Sequence, residues 1–301
     1  MMKNKQILIA GGSGLVGTYL SQLLSEAGHS VRWLSRSVGG KPYPTFKWDI
    51  DRQSIDEAAF KDIQVIINLA GAGIADKKWT SARKKMLIES RTKSSALLDK
   101  YIQKLGIRPQ IYISAGGIGY YGDRGSNWMD ESALPGNGFL SQCCVQWEEA
   151  VHQVSGDFPK AILRIGVVLS SKGGALEKML LPLRFHTNTY FGNGKQYMSW
   201  IHIEDLGRIF QFFIESPTSG IFNAVADHPL ENKTFVQEVA KGLGKNPILL
   251  PAPEIALRLA MGEMADVVLE STRADNKKIK NLGFEFKYQN VSDAVSNLFV
   301  K

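Results

Sequence analysis

The 301-residue sequence has only two cysteines, Cys143 and Cys144, and they are adjacent. Neighbouring residues close a disulfide only in a strained ring, and two thiols with no further ligand nearby make a poor zinc site. A disulfide framework and a metal centre are therefore excluded as organising features, and no metal is expected. The pair reads as small buried side chains in a reducing compartment. Long apolar runs are missing as well. Met1 to Lys5 lead directly into a short apolar stretch, Ile7 to Ala10, far too short for a signal-peptide core or a membrane span. A soluble cytoplasmic protein with no membrane partner is expected. Neither charge sign dominates: 36 Lys and Arg against 29 Asp and Glu give +7, which suits anionic ligands. Without an aromatic-basic surface motif, this diffuse charge gives no support to nucleic-acid binding. Repeats and low-complexity segments are also lacking.

Glycine is what the sequence has in excess, with 29 residues against a usual share of about 7%. Its placement is more informative than its number. The first 170 residues alternate short apolar runs with amphipathic stretches. Strands are predicted at Ile7–Ala10, Val31–Leu34, Phe46–Trp48, Val65–Leu69, Ile111–Ser114 and Ala161–Leu169. Helices are predicted from Leu15 to Ala27 and from about Trp79 to Leu105, stopped by Gly28 and Gly106. Strand and helix in alternation imply an α/β fold, a Rossmann-like doubly wound parallel sheet. Each glycine cluster of this half, from Gly11–Gly17 to Gly173–Gly174, falls just past the carboxyl end of a predicted strand. That is the edge where open parallel sheets bind ligands.

After residue 170, prolines at 182, 217, 229, 247, 251 and 253 divide the chain into short pieces. Helices are predicted at Phe235–Leu243, Pro253–Gly262, Asp266–Thr272 and Val291–Val300. The organisation expected is a dinucleotide-binding domain over 1–170, with a returning segment near 195–225. A smaller, mostly helical C-terminal cap over 171–301 would hold the substrate.

Between the first strand and first helix the chain reads Ala10-Gly11-Gly12-Ser13-Gly14-Leu15-Val16-Gly17. The first glycine of this spacing permits the tight turn, the next admits a pyrophosphate to the backbone, and the last lets helix and strand approach closely. The helix N-terminus then offers N–H groups and partial positive charge to the anion. Gly11, Ser13, Gly14, Leu15, Val16 and Gly17 are therefore cofactor-binding candidates. The second strand ends in Ser35-Arg36, without the carboxylate that holds the ribose 2′-hydroxyl of NAD. A hydroxyl and a guanidinium suit a 2′-phosphate, so NADP(H) is the expected cofactor and Ser35 and Arg36 its specificity residues.

That loop, with Asn68-Leu69-Ala70-Gly71, Ser90-Arg91, Gly119-Tyr120-Tyr121-Gly122, Arg164-Ile165-Gly166 and Trp200-Ile201-His202, resembles the extended short-chain dehydrogenase/reductase superfamily. Within it the chain closely resembles an atypical YfcH-like subgroup described as sugar-nucleotide epimerases, NAD(P)-dependent epimerase/dehydratase relatives. The segment from Pro247 to Leu298 is similar to the small domain of unknown function that ends those proteins. The resemblance implies that Leu69, Ala70 and Gly71 pass under the ribose and nicotinamide linker, and that Arg91 contacts cofactor. It makes Glu148 a ribose or nicotinamide contact, with a surface glutamate as the competing reading.

Catalysis is where the sequence departs from the superfamily. Working members place a Tyr-x-x-x-Lys pair on the helix after the fifth strand, the lysine lowering the tyrosine pKa. Here that helix, from Phe139 to Glu149, holds neither Tyr nor Lys, and Gly116 stands where relatives tend to carry serine. Tyr120 and Tyr121 become the catalytic candidates, or else aromatic walls for a substrate. Asp130 and Glu131 are weaker candidates for a general base. His202 reads as structural, Asp205 as the N-cap of a following helix, and Cys143 as core packing. Lys195, in Gly192-Asn193-Gly194-Lys195-Gln196, reads equally as a phosphate contact or a plain turn. The function implied is an oxidoreductase or epimerase acting on a small-molecule substrate, with an NADP(H)-binding sensor or regulatory protein as the alternative. Homo-oligomerisation is left open.

Overall fold

A computed structural model describes residues 4–299. Its centre is an eight-stranded sheet. In chain order the strands are β1 (Gln6–Ala10), β2 (Ser30–Ser35), β3 (Thr45–Asp49), β4 (Ser54–Ile55), β5 (Val65–Asn68), β6 (Ile111–Gly117), β7 (Lys160–Ile165) and β8 (Gly220–Ala224). Their spatial order is β8-β7-β6-β5-β1-β2-β3-β4. All neighbours are parallel except β3 and β4. Strand order reverses between β1 and β5, which opens a crevice beyond their carboxyl ends. The central strands are continuous apolar runs because both faces are covered: Ile7, Leu8, Ile9, Ile66, Ile67 and Ile113 are all fully buried.

Helices α1 (Leu15–Glu26), α2 (Ser81–Lys104) and α3 (Phe139–His152) lie in the first half, followed by α4 (Ile203–Glu215). α1 and α4 pack on the side of Ile7, Ile9, Trp33 and Phe210; α2 and α3 cover the side of Leu8, Ile66 and Tyr112. The C-terminal third adds α5 (Asn232–Gly242), α6 (Glu254–Met261) and α7 (Val291–Phe299). Val300, expected to end the last of these, lies outside the described residues. Asp266–Leu269 forms one short helical turn and ends before the expected Thr272.

Three sequence expectations change. The run Ala161–Leu169 is not one strand: it breaks at Gly166, where a Cβ would stand 2.7 Å from the Ser199 carbonyl oxygen. That close approach turns Val167–Leu169 away to pair with Trp200–His202. Short strands also occur in the cap without any alternation to signal them, Thr187–Phe191 pairing in parallel with Ile248–Ala252. Finally, Asp205 does not cap α4. His202 does, its Nδ1 accepting from the Glu204 N–H at 3.1 Å, while Asp205 accepts from the backbone of Lys287 and Tyr288. No helix among the described residues is long and apolar enough to cross a membrane.

Candidate cofactor and substrate site

The glycine loop after β1 is shaped by collisions that only glycine avoids. Gly11 adopts φ +80°, the left-handed region, with the Leu69 carbonyl 2.8 Å from where its Cβ would be. Gly12 lies against the Trp33 ring, whose Nε1 donates to Ser21 Oγ. A Cβ on Gly17 would fall 2.4 Å from the Gly11 oxygen, so helix and loop meet backbone to backbone. Gly14 differs: its nearest neighbour would be the Gly11 oxygen at 3.4 Å, leaving room on the crevice side. As N-cap of α1 it brings no capping side chain, and the first turn holds no acidic residue. The N–H groups of Leu15, Val16 and Gly17, beside the exposed Ser13, are thus left for an anion. The loop fits a dinucleotide pyrophosphate.

At the end of β2, Ser35 is half-buried and Arg36 is exposed, with no ion-pair partner among the described residues. Across the switch point, Asn68 shapes the turn after β5. Its amide donates to Ser94, Ser95 and Tyr112 hydroxyls, and its oxygen accepts from the Ala70 N–H. The turn continues through Leu69 and Ala70 to Gly71, behind which stands Arg91 from α2. Arg91 is 7% exposed, donates to the carbonyls of Ala72 and Leu87, and lies 4.9 Å over the Trp147 ring. It has no carboxylate partner among the described residues, and a Cβ on Gly71 would come within 3.0 Å of its guanidinium carbon.

Glu148 is placed differently from the expectation of a cofactor contact. It is buried, and both of its oxygens accept from Arg164, at 2.8 Å each. Its carboxylate is consumed by that pair. Tyr121 is also removed from the crevice: it is fully buried, its hydroxyl accepting from Arg164 at 3.0 Å and donating to Asn223 Oδ1 at 2.7 Å. Burial pushes its pKa up to about 12, against the opposing Arg164 charge. Held this way, the phenol serves the buried network of Arg164 and Asn223. Tyr120 remains half-buried, its ring 3.5 Å beneath the Arg164 guanidinium. Neither Arg164, which the sequence offers only as part of a resemblance motif, nor Asn223 is a site candidate there, since nothing local in the chain marks either as a partner of Tyr121.

Where a Tyr-x-x-x-Lys pair was sought, α3 turns Leu140 and Cys144 toward the loop after β6, the latter 3.7 Å from a Cβ built on Gly117. Burial pushes the Cys144 thiol up to about 12 and raises Cys143 as well; both are free, packed side chains. Asp130 holds a local turn through Ser132, and Glu131 accepts from the Asn223 N–H. Among the described residues there is no group of three or more metal-ligating side chains.

Beyond the Tyr120–Gly122 loop lies an open cavity of about 980 Å³. Its walls come from 123–126, the Gly192–Tyr197 loop and the C-terminal segment 251–271. Glu270 projects from that last segment to α3, where a Cβ on the N-cap Gly138 would lie 3.1 Å from its Oε1. Burial, with Asp266 and Asp123 nearby, pushes the Glu270 carboxyl up to about 7.

Comparison with known proteins places this architecture. An epimerase family protein of Mycobacterium bovis is 34% identical over 297 residues, covering 98% of this chain and 97% of its own. The crystal structure of human epimerase family protein SDR39U1 (isoform 2), solved with NADPH, superposes with a TM-score of 0.88 at 29% identity, covering 97% of this chain and 98% of the human one. UDP-glucose 4-epimerase of Thermus thermophilus, solved with NAD, shares the fold at 17% identity and TM-score 0.76, with 98% of both chains covered. Residues 252–298 match a domain of unknown function, DUF1731. With residues 7–224 matching its pattern, the chain belongs to the NAD dependent epimerase/dehydratase family.

Proposed function

We propose that this chain binds NADP(H) in the crevice between β1 and β5 and acts, in the cytoplasm, as an oxidoreductase or epimerase on a small molecule held in the cavity between the Gly192–Tyr197 loop and the segment 251–271. The observation that carries this reading is the pairing of the Gly14 loop with Ser35 and Arg36. The loop is open to a pyrophosphate, and the β2 terminus meets a 2′-phosphate with a hydroxyl and an unpaired guanidinium instead of a carboxylate. The human relative's co-crystallised NADPH supports the same choice. Gly11, Ser13, Gly14, Leu15, Val16 and Gly17 would hold the pyrophosphate. Leu69, Ala70 and Gly71 would run beneath the nicotinamide ribose, with Arg91 fixing that turn from behind. When bound, the nicotinamide supplies hydride exchange. The chain's own part is to orient the cofactor through the glycine loop and the turn backed by Arg91, with Tyr120 as the tyrosine candidate left for substrate.

Direct titration by nicotinamide fluorescence tests the cofactor assignment. NADPH should bind at least tenfold more tightly than NADH, and Arg36→Asp should remove that preference; equal affinities in the parent protein overturn it. One observation favours a second reading, an NADP(H)-binding sensor or regulator without turnover: α3 packs Leu140 and Cys144 against Gly117–Gly119 where a tyrosine and lysine were expected, and Tyr121 is held in the interior. Incubating the NADPH-loaded protein with a carbonyl and sugar panel, and following nicotinamide absorbance and products, separates the two. Turnover lost in Tyr120→Phe supports the enzyme; tight NADPH binding with no turnover across the panel supports the sensor.

A further inference from the structure

The cavity between the Gly192–Tyr197 loop and the segment 251–271 offers a ligand mostly hydrogen-bond acceptors. Gln196 is 7% exposed yet lines this space. Its amide nitrogen is committed to the carbonyls of Phe191 and Val268, at 3.2 and 2.9 Å, which leaves its amide oxygen without a protein partner among the described residues. A side chain so buried and so fixed presents that oxygen as a built acceptor. Around it stand five carboxylates: Asp123, Glu231, Glu254, Asp266 and Glu270. Arg258 neutralises part of this charge by bonding Glu254 at 2.8 Å and Asp266 at 2.9 Å. Glu231 and Glu270 have no partner for their carboxylates among the described residues, and Asp123 accepts only from the N–H groups of Gly125 and Ser271. The remaining cation of the wall, Lys195, is exposed at the rim.

We infer that this cavity selects a phosphate-free, hydroxyl- and amine-bearing molecule, and that it rejects nucleoside diphosphate sugars such as the UDP-glucose held, with NAD, in MoeE5, a fold neighbour of 16% identity. A diphosphate carries acceptors only and negative charge; here it would meet free acceptors and net negative charge, with one rim lysine to offset them. Hydroxyl and ammonium groups instead supply the donors that Gln196, Glu231 and Glu270 lack. The volume, about 980 Å³, accommodates a sugar-sized molecule together with ordered water. The five carboxylates come from stretches of chain far apart in sequence that converge only in the fold, and three of them, Glu254, Asp266 and Glu270, come from the region matching the domain of unknown function. That region's role on this reading is to furnish the specificity wall.

The inference rests on the proposed crevice, so its test begins by confirming that the protein binds NADPH; failure there sinks the cofactor reading by itself. Calorimetry on the NADPH-loaded protein then compares glucosamine and related amino sugars with UDP-glucose. Binding of an amino sugar, at least tenfold tighter than UDP-glucose and weakened fivefold or more by both Gln196→Leu and Glu270→Gln, is expected. The exposed flank of Glu270 makes that second variant tolerant of folding even if the buried glutamine is not. Preferential binding of UDP-glucose, no binding by any amino sugar tested, or affinities unchanged in Glu270→Gln overturns the inference while leaving NADPH binding intact.

Discussion

Arg164 and Glu148 form a two-bond ion pair across the interface of β7 and α3, at 2.8 Å for each N–H to its own carboxylate oxygen. Arg164 is 1% exposed and Glu148 5% exposed. A third N–H of the guanidinium reaches the Tyr121 hydroxyl, which donates to the Asn223 amide oxygen, and Asn223 in turn donates to the carbonyls of Met129 and Asp275. One buried cation thus ties the sheet, α3, the tyrosine loop and the start of the C-terminal region together. Removing one partner of such a pair leaves a charge uncompensated in the interior, a loss of about 3–5 kcal/mol. Glu148→Gln should therefore lower stability by an amount in that range in urea unfolding, and the apolar double substitution Arg164→Met with Glu148→Leu should cost less than the sum of the single changes. Additive losses would show that the two side chains act independently.

The glycine loop separates steric from ligand effects. At Gly17 a Cβ would be 2.4 Å from backbone oxygen, whereas at Gly14 it would meet backbone only at 3.4 Å, with φ −76° and ψ 172° acceptable to any residue. Gly17→Ala is expected to lower the melting temperature by many degrees. Gly14→Ala should melt near the parent protein and yet bind NADPH at least tenfold more weakly, because its methyl group enters the space meant for the pyrophosphate. A Gly14→Ala protein that binds NADPH normally would remove the pyrophosphate from this loop.

These two features differ in how readily the sequence reveals them. The loop is local: turn, helix start and close packing are all encoded within Gly11 to Gly17, so its spacing, read between a predicted strand and a predicted helix, exposes it. The Arg164 network joins residues from β7, α3, the loop after β6 and β8, and no periodicity relates positions so far apart. Tyr121 illustrates the consequence. Its place among glycines at the ligand edge of the sheet makes it a candidate, and only the fold brings Arg164 and Asn223 onto its hydroxyl. His202 was readable as structural, though its capping role over Asp205 needed the geometry of the Trp200–His202 strand. The cavity was least legible of all, since Gln196 looks like an ordinary turn residue until its amide nitrogen is seen to be occupied.

His202 should make stability sensitive to mild acid. The ring is 2% exposed, lies 3.8 Å from Tyr288, and accepts from the Glu204 N–H through Nδ1, which requires that nitrogen to be unprotonated. Burial, aided by the Lys287 charge and opposed by Glu204, holds its pKa down to about 4, from an ordinary 6.5. Between those values the unfolded chain takes up a proton that the folded chain refuses, so stability falls as pH drops from 6.5 toward 4. The full shift corresponds to about 3 kcal/mol. His202→Asn keeps a side-chain acceptor at the cap but cannot titrate, so its unfolding free energy should vary less between pH 7 and 4.5 than that of the parent. His29, also lowered by burial, leaves a residual slope in both proteins. Equal slopes would show that His202 is not the titrating group.

Glu270 should act in the opposite direction. Its carboxyl is raised by burial and by the neighbouring Asp266 and Asp123 to about 7, above an ordinary 4.5, while the nearby Arg258 is occupied by Asp266 and Glu254. Here the folded chain holds a proton that the unfolded chain has released. The stabilisation is complete below pH 4.5 and disappears as pH rises through 7, above which a half-buried carboxylate is carried without a partner. Glu270→Gln mimics the protonated form at every pH. Its melting temperature should match the parent below pH 4.5 and exceed it by a few degrees at pH 8, the difference opening between pH 4.5 and 7. An amino sugar bound in the cavity should shrink that difference at pH 8 in the same protein, because an ammonium beside the carboxylate restores its ionised form to favour. If the parent and Glu270→Gln proteins melt alike from pH 5 to 8, the carboxyl ionises as freely in the cavity as it does in water.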